Sequence, residues 1–421
     1  MRKRVLVLAA LGAVAAVLLA VPAQTAPQAA ERYIVVLKDG ADAEGLSRAH
    51  GARYGLEVGF VYGHALSGYS AVVPAARVAA LQADEDVQFL SPDNEVTITA
   101  QTLPTGTNRI EADNSSAMSG NGSGSVNIAV AVIDTGIDVA HPDLNVVGGK
   151  NCSNGRSFDD GNGHGTHVAG TIAAKDDAQG VVGVVPGASL YAVRVLNNAG
   201  SGSTSSVVCG IDWVAANAAA TGIKVANMSL GGSGSDDGNC GNSNNDAQHK
   251  AICNAVAKGV TFVVAAGNSA VDFKGSVPAA YDEVLTVTAM ADFNGQPGGG
   301  AAATCRSDID DTFADFSNFA TLASDQAHTI AAPGVCILST WKKGGYNTIS
   351  GTSMASPNMA GTAALCIATG NCTGSVATIV QKLRSDAASY NTANTGYGFA
   401  GDPIRPASGK YFGYLTTADI Y

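Results

Sequence analysis

Ile128-Ala129-Val130-Ala131-Val132-Ile133-Asp134-Thr135-Gly136-Ile137-Asp138 runs six apolar residues, without alternation, into a carboxylate and a glycine. A run this short and uniformly apolar reads as a strand, drawn over 126–133, that is buried on both faces. Four more such runs lie at 189–195, 224–228, 260–266 and 284–289. Helix-like stretches lie at 164–174, 205–220, 246–258 and 353–369, the last opened by Gly351-Thr352-Ser353-Met354-Ala355-Ser356-Pro357. Doubly buried strands alternating with helices predict an α/β fold with a mostly parallel sheet. Functional groups in such sheets gather at the carboxyl ends of the strands. Asp134 occupies one such end and Asn268, in Ala265-Ala266-Gly267-Asn268, another.

The chain has 421 residues, 14% of them charged, 51 glycines and a net charge of −11. Low charge with abundant glycine fits a compact, turn-rich protein. With no basic run after the first four residues, nucleic acid is not expected as a partner. Arg2-Lys3-Arg4, an apolar run over 5–21 and Pro22-Ala23-Gln24-Thr25-Ala26 have the three parts of a secretory signal, so 1–26 is expected to be removed and the protein exported. No later stretch is long and apolar enough to span a bilayer. Strand-like runs at 32–38, 69–73 and 87–90, with helices at 41–50 and 75–83, suggest a small separate α+β domain, followed by a threonine-rich linker over 96–106. All eight cysteines lie beyond residue 150, and an even count in an exported chain predicts disulfides. Eight cysteines allow 105 pairings. The simplest set joins Cys366 to Cys372, Cys240 to Cys253 and Cys305 to Cys336, leaving Cys152 with Cys209.

Serine is a weak nucleophile at neutral pH and needs a base to take its proton. Histidine suits that task, and a carboxylate on its other nitrogen fixes the tautomer. Asp134, His164 and Ser353 supply the three parts, and the Asn268 amide with the Ser353 N–H could hold the oxyanion. Nucleophile motifs of the G-x-S-x-G esterase type place serine first in the chain; here it comes last and Ala355 replaces the final glycine. His164 and His167 lack the glutamate of a zinc H-E-x-x-H motif.

AVIDTGID (131–138), HGTHVAGT (164–171), NMSLGG (227–232), VVAAGN (263–268) and GTSMASP (351–357) stand in one order along the chain. Together they resemble the subtilisin-like serine proteases, of the subtilisin and proteinase K type. The resemblance implies a three-layer fold around a mostly parallel sheet in 100–421. It also implies a triad of Asp134, His164 and Ser353 with Asn268 in the oxyanion hole, and a structural role for His167. Polypeptide substrates would lie extended between Gly200-Ser201-Gly202 and Ser229-Leu230-Gly231-Gly232. The small residues beside Asn268 suggest broad endoproteolysis with apolar residues preferred before the scissile bond. Residues 27–99 resemble the inhibitor propeptide of the family, a ferredoxin-like β-α-β-β-α-β chaperone removed by self-cleavage near Thr99 or Ala100. By the same resemblance Ca2+ would be held by Gln101, Asp143 and Asp177 with the carbonyls of Lys175, Gln179 and Val181. A second such site, on the Asp282 and Val284 carbonyls, lacks its carboxylate because Thr329 stands there. A monomeric active protease is expected; a catalytically silent relative acting as a binding protein is the alternative.

Overall fold

The computed structural model describes residues 30–93 and 101–421, which form two compact units. The signal segment and the expected cleavage points lie outside the described residues.

In the first unit, strands β1 (Glu31–Leu37), β2 (Glu57–Tyr62), β3 (Gly68–Val73) and β4 (Val87–Pro92) form an antiparallel sheet in the order β2-β3-β1-β4. Helices α1 (Ala43–Tyr54) and α2 (Ala75–Gln82) separate them in the succession β-α-β-β-α-β. Val35, Leu37, Tyr69, Ala71, Val73 and Leu81 make its core. Asp42 caps α1 by accepting from Gly45 N at 3.0 Å, and Gly55 ends it at φ +69. The residue pattern alone gave three strands here. It passes over β2 because five of its six residues are exposed and show no alternation.

The second unit opens with α3 (Thr105–Arg109). Its sheet contains β5 (Ala129–Asp134), β6 (Val146–Asn151), β7 (Ser189–Arg194), β8 (Ile223–Met228), β10 (Thr261–Ala265), β12 (Leu285–Ala291), β13 (Thr312–Phe313) and β14 (Thr329–Pro333). The order is β13-β12-β10-β8-β5-β7-β6, with β14 also on β12, and every pair is parallel except β12 with β13. Two short ladders lie outside it: β9 (Gly232–Ser233) with β11 (Ser276–Val277), and β15 (Ile337–Trp341) with β16 (Gly345–Ile349). The helices are α4 (His164–Ala173), α5 (Thr204–Thr221), α6 (Ala247–Val256), α7 (Ala323–Gln326), α8 (Thr352–Ala368) and α9 (Val376–Ala393).

Side chains alternate across a strand, and here the alternation divides the interior into two cores. Val130, Val132, Val225, Val263 and Val287 face α4, α8 and α9. Ala131, Ile133, Ala226, Met228, Phe262 and Val264 face α5 and α6. Helices on both faces of one sheet give the expected three layers. Helix α8 is buried along almost its whole length, and Gly361 leaves no room for a side chain: a Cβ there would lie 2.5 Å from Val184 Cβ. The four disulfides are Cys152–Cys209, Cys240–Cys253, Cys305–Cys336 and Cys366–Cys372. No helix among the described residues is long and apolar enough to cross a membrane.

Candidate active site

The three catalytic candidates are delivered by different elements at one end of the sheet. Asp134 is the last residue of β5, His164 the first of α4 and Ser353 the second of α8, while Asn268 follows β10 by three residues. Asp134 is fully buried, and its Oδ1 accepts from His164 Nδ1 at 2.8 Å and from Thr135 N at 2.7 Å. Donation from Nδ1 fixes the neutral imidazole with its lone pair on Nε2, the tautomer a general base requires. The His164 side chain is 27% exposed. Burial pulls its pKa down, but the charge and hydrogen bond of Asp134, together with the charge of Asp160, outweigh it and hold the imidazole above its ordinary value.

Ser353 is inside the helix rather than capping it; the cap position belongs to Gly351, which makes no side-chain bond. Gly351 is extended. An added Cβ there would stand 3.4 Å from Asn268 Nδ2, an ordinary contact distance. Ser353 Oγ donates to the Ser229 carbonyl at 3.3 Å, and no hydrogen bond joins it to His164 among the described residues. Ser353 N, in the first helical turn, is free of intrahelical partners, as the first amides of any helix are. Asn268 Oδ1 accepts from Thr352 N at 2.8 Å and Thr352 Oγ1 at 2.9 Å, which leaves the amide NH2 as its outward donor. Donors aimed at one place without needing to reorganise are what a developing oxyanion needs.

Several positioning residues escaped the sequence reading. Asp160 accepts from Asn162 N, Gly163 N, Thr166 N and both the Thr135 and Thr166 hydroxyls, tying the start of α4 to the end of β5. Ser229 Oγ donates to the Ser353 carbonyl at 2.8 Å, and Asn227 bonds both Ser229 and Ser356, so β8 anchors the start of α8. His167 is wholly buried with Nε2 against the Ile337 and Asn347 carbonyls; burial drives its pKa down to about 3. That is the structural role expected of it.

Gly200, Ser201, Gly202, Ser229, Leu230, Gly231 and Gly232 all line one cleft of about 510 Å³ together with His164. A second cavity of about 350 Å³ adjoins it through Leu230, Gly231 and Gly232 and is walled by Ala265, Ala266, Gly267, Asn268 and Ser353. Gly232 is committed to the short ladder with Val277, which braces that rim of the cleft.

Of the residues expected to hold a metal, Gln101, Asp143 and the three carbonyls come together. Gln101 Nε2 donates to the carbonyls of Lys175 at 2.7 Å, Gln179 at 3.1 Å and Val181 at 3.2 Å. Its Oε1 and Asp143 Oδ1 are buried without hydrogen-bond partners. Asp143 Oδ2 accepts from Val181 N, and burial pushes the carboxyl up to about 7, opposed by that bond and by the Tyr346 hydroxyl and assisted by the charge of Asp177. Asp177 itself accepts from Gln179 N at 3.2 Å. Lys175 turns its ammonium away to the Pro142 carbonyl.

Residues 125–400 match the profile of the subtilase family. Subtilisin DY of Bacillus licheniformis is 40% identical over 272 residues, 64% of this chain and 85% of that protein. M-protease of Shouchella clausii (strain KSM-K16) is 40% identical over 291 residues, 68% of this chain and 66% of that protein. A crystal structure of a cold adapted subtilisin-like serine proteinase superposes with a TM-score of 0.56 at 31% identity, covering 75% of this chain and 98% of that one. The matched span holds the whole parallel sheet from β5 to β14 and every strand end and helix start just described. The chain therefore belongs to the subtilase family and is a subtilisin-like serine endopeptidase.

Proposed function

We propose that this enzyme cleaves polypeptides outside the cell through an acyl-enzyme on Ser353, with Asp134 and His164 as its base and Asn268 as oxyanion donor. The observation that carries the assignment is the 2.8 Å bond from His164 Nδ1 to a carboxylate shut away from water. As Ser353 Oγ leaves the Ser229 carbonyl and attacks the peptide carbon, its proton passes to His164 Nε2. The imidazolium is stabilised by Asp134, and the carbonyl oxygen gains charge in front of the Asn268 amide and the Ser353 N–H. The proton then goes to the departing amine. Water repeats the sequence to free the acid and restore the serine. Catalytic hydrogen bonds are often open in a structure without substrate, which is consistent with the resting position of Ser353 Oγ.

The small, partly apolar walls of the Ala265–Gly267 cavity support broad specificity with apolar side chains before the scissile bond. Four disulfides support an oxidising, extracellular setting. The antiparallel unit at 30–93 supports an autoprocessed proenzyme: Ile34, Val36 and Phe89 lie on the sheet face away from its core, and Phe89 is 47% exposed. That apolar face suits intramolecular docking as inhibitor and chaperone. A structural Ca2+ fits Gln101, Asp143, Asp177 and the carbonyls of Lys175, Gln179 and Val181. The oxygen and nitrogen of a side-chain amide are assigned by their partners; turned over, Gln101 would present Oε1 to three carbonyls, an arrangement that calls for a cation. The bound ion would supply a fixed charge that ties the segment beginning at Gln101 to the loop after α4.

A serine-directed phosphonate tests the catalytic reading. Covalent labelling confined to Ser353, lost in Ser353→Ala, is expected. An unlabelled mature protein would favour the silent binding protein.

A further inference from the structure

The mechanism uses the carboxyl ends of the strands. A second group of side chains lies at the opposite, amino ends of β12 and β14. Asp282 precedes β12, Asp325 is in α7 and His328 precedes β14; one ligand atom from each lies within 4.8 Å of the others. The backbone beneath them is fixed, since Thr286 N donates to the His328 carbonyl at 2.9 Å and Thr286 pairs with Thr329 across the two strands.

Polar groups placed this deep are normally paired, and these are not. His328 is 3% exposed, and neither ring nitrogen makes a well-formed hydrogen bond among the described residues, although the Val284 carbonyl acts on the ring. Asp325 is 4% exposed and its Oδ2 is likewise buried without a partner. Asp282, half exposed, stands with Oδ1 3.8 Å from His328 Nε2. Arg384, the cation on this cavity, has its guanidinium committed to the carbonyls of Thr329 and Gln326. Burial pulls His328 down to about 4, with Arg384 adding and the Val284 carbonyl opposing. Burial also pushes Asp325 up to about 6, eased by the Ser324 hydroxyl and reinforced by the charges of Asp272, Asp282 and Asp236.

We infer that Asp282, Asp325 and His328 form a site for a divalent cation of the zinc class. Two carboxylates and one imidazole suit zinc, whereas calcium takes oxygen ligands alone. Three protein ligands leave coordination positions for water, and the site opens into a cavity of about 500 Å³ beneath α9, lined by Val256, Ala377 and Val380 as well as His328. The ion would clamp the turn before β12 to the α7 segment, away from the catalytic centre and from the Gln101 site.

The test is titration of the purified enzyme with zinc chloride by calorimetry, after phosphonate block of Ser353 and in excess calcium. The block occupies the His164 pocket and prevents autolysis; calcium keeps the Gln101 site filled. Cobalt(II) absorption provides a second readout of imidazole ligation. One ion per chain is expected, weakened at least about 10-fold in Asp282→Asn and in His328→Asn. Asp282 is exposed enough for its variant to keep the parent melting temperature without zinc, so it decides the matter if His328→Asn folds poorly. No binding to the parent enzyme, or equal affinity in Asp282→Asn, would overturn the inference. Because the readout is metal binding, that failure would leave the proteolytic assignment untouched.

Discussion

His164 is held between two opposed influences: an apolar surround that disfavours its charge, and Asp134 and Asp160, whose charges favour it and prevail. A base held above its ordinary value stays protonated, and idle, to higher pH. The rising limb of kcat/KM is therefore expected above about 6.5. In Asp160→Asn the limb should move downward, together with a loss of rate, because the new NH2 faces donors from which Asp160 accepted. A pH profile of parent and variant reads this directly, and an unmoved limb would remove Asp160 from the electrostatics. Asn268→Ala should lower kcat about 10²- to 10³-fold with little change in KM, the effect known for the same donor in subtilisin; steady-state kinetics decide it. The four residues proposed for the chemistry could be singled out because each sits in a distinctive run of small residues at a strand end or helix start. Asp160 could not, nor could the positioning roles of Thr135, Ser229 and Thr352 within the quoted segments. A single polar residue in a Gly- and Ser-rich stretch looks like any solvated turn, and only the fold shows that it faces inward.

Helix α4 must lie hard against β5 for the imidazole to reach its carboxylate, and Gly165 permits this. A Cβ there would stand 2.1 Å from the Gly136 carbonyl oxygen and 3.1 Å from Asp134 Cβ, the first of which is backbone that cannot swing aside. Gly165→Ala should therefore displace the helix and lower kcat/KM by about 100-fold, the cost of misplacing a reacting group by roughly an ångström. Activity should fall even at temperatures where circular dichroism still shows folded protein; full activity would contradict the packing argument. The central strands and α4, α5, α6 and α8 were readable from uniform apolar runs and helical spacing. Helix α9 was missed. Yet Val376, Ile379, Val380, Leu383 and Ala387 are its buried face and follow a helical period. The signal was present but diluted by the intervening lysine, arginine and serine residues. Strands β14, β15 and β16 escaped for other reasons: β14 is a five-residue run of mostly small residues ending in proline, and β15 and β16 mix apolar with polar positions that resemble a loop until their pairing is known.

Across the whole molecule, the buried Asp143 couples stability to pH. Without metal its carboxyl sits at about 7 in the folded chain, well above the ordinary carboxylate value, so the folded form holds a proton that the unfolded form has lost. Stability in chelator should then be full below about 4 and decline as pH rises toward 7. Calcium, if held there, should flatten that slope by stabilising the carboxylate. Melting temperatures across this range, with chelator and with calcium, check the sign. Chelation should also hasten thermal inactivation while leaving the initial rate of peptide hydrolysis nearly unchanged. The parallel sheet has a further consequence, in time rather than in space. Parallel neighbours cannot pair until the crossover between them has been made, and contacts distant in sequence form slowly. Carboxylate and imidazole come early in translation, whereas the alcohol arrives only after β14, β15 and β16 have been synthesised. A nascent chain thus lacks its proposed nucleophile until most of the parallel sheet has been made.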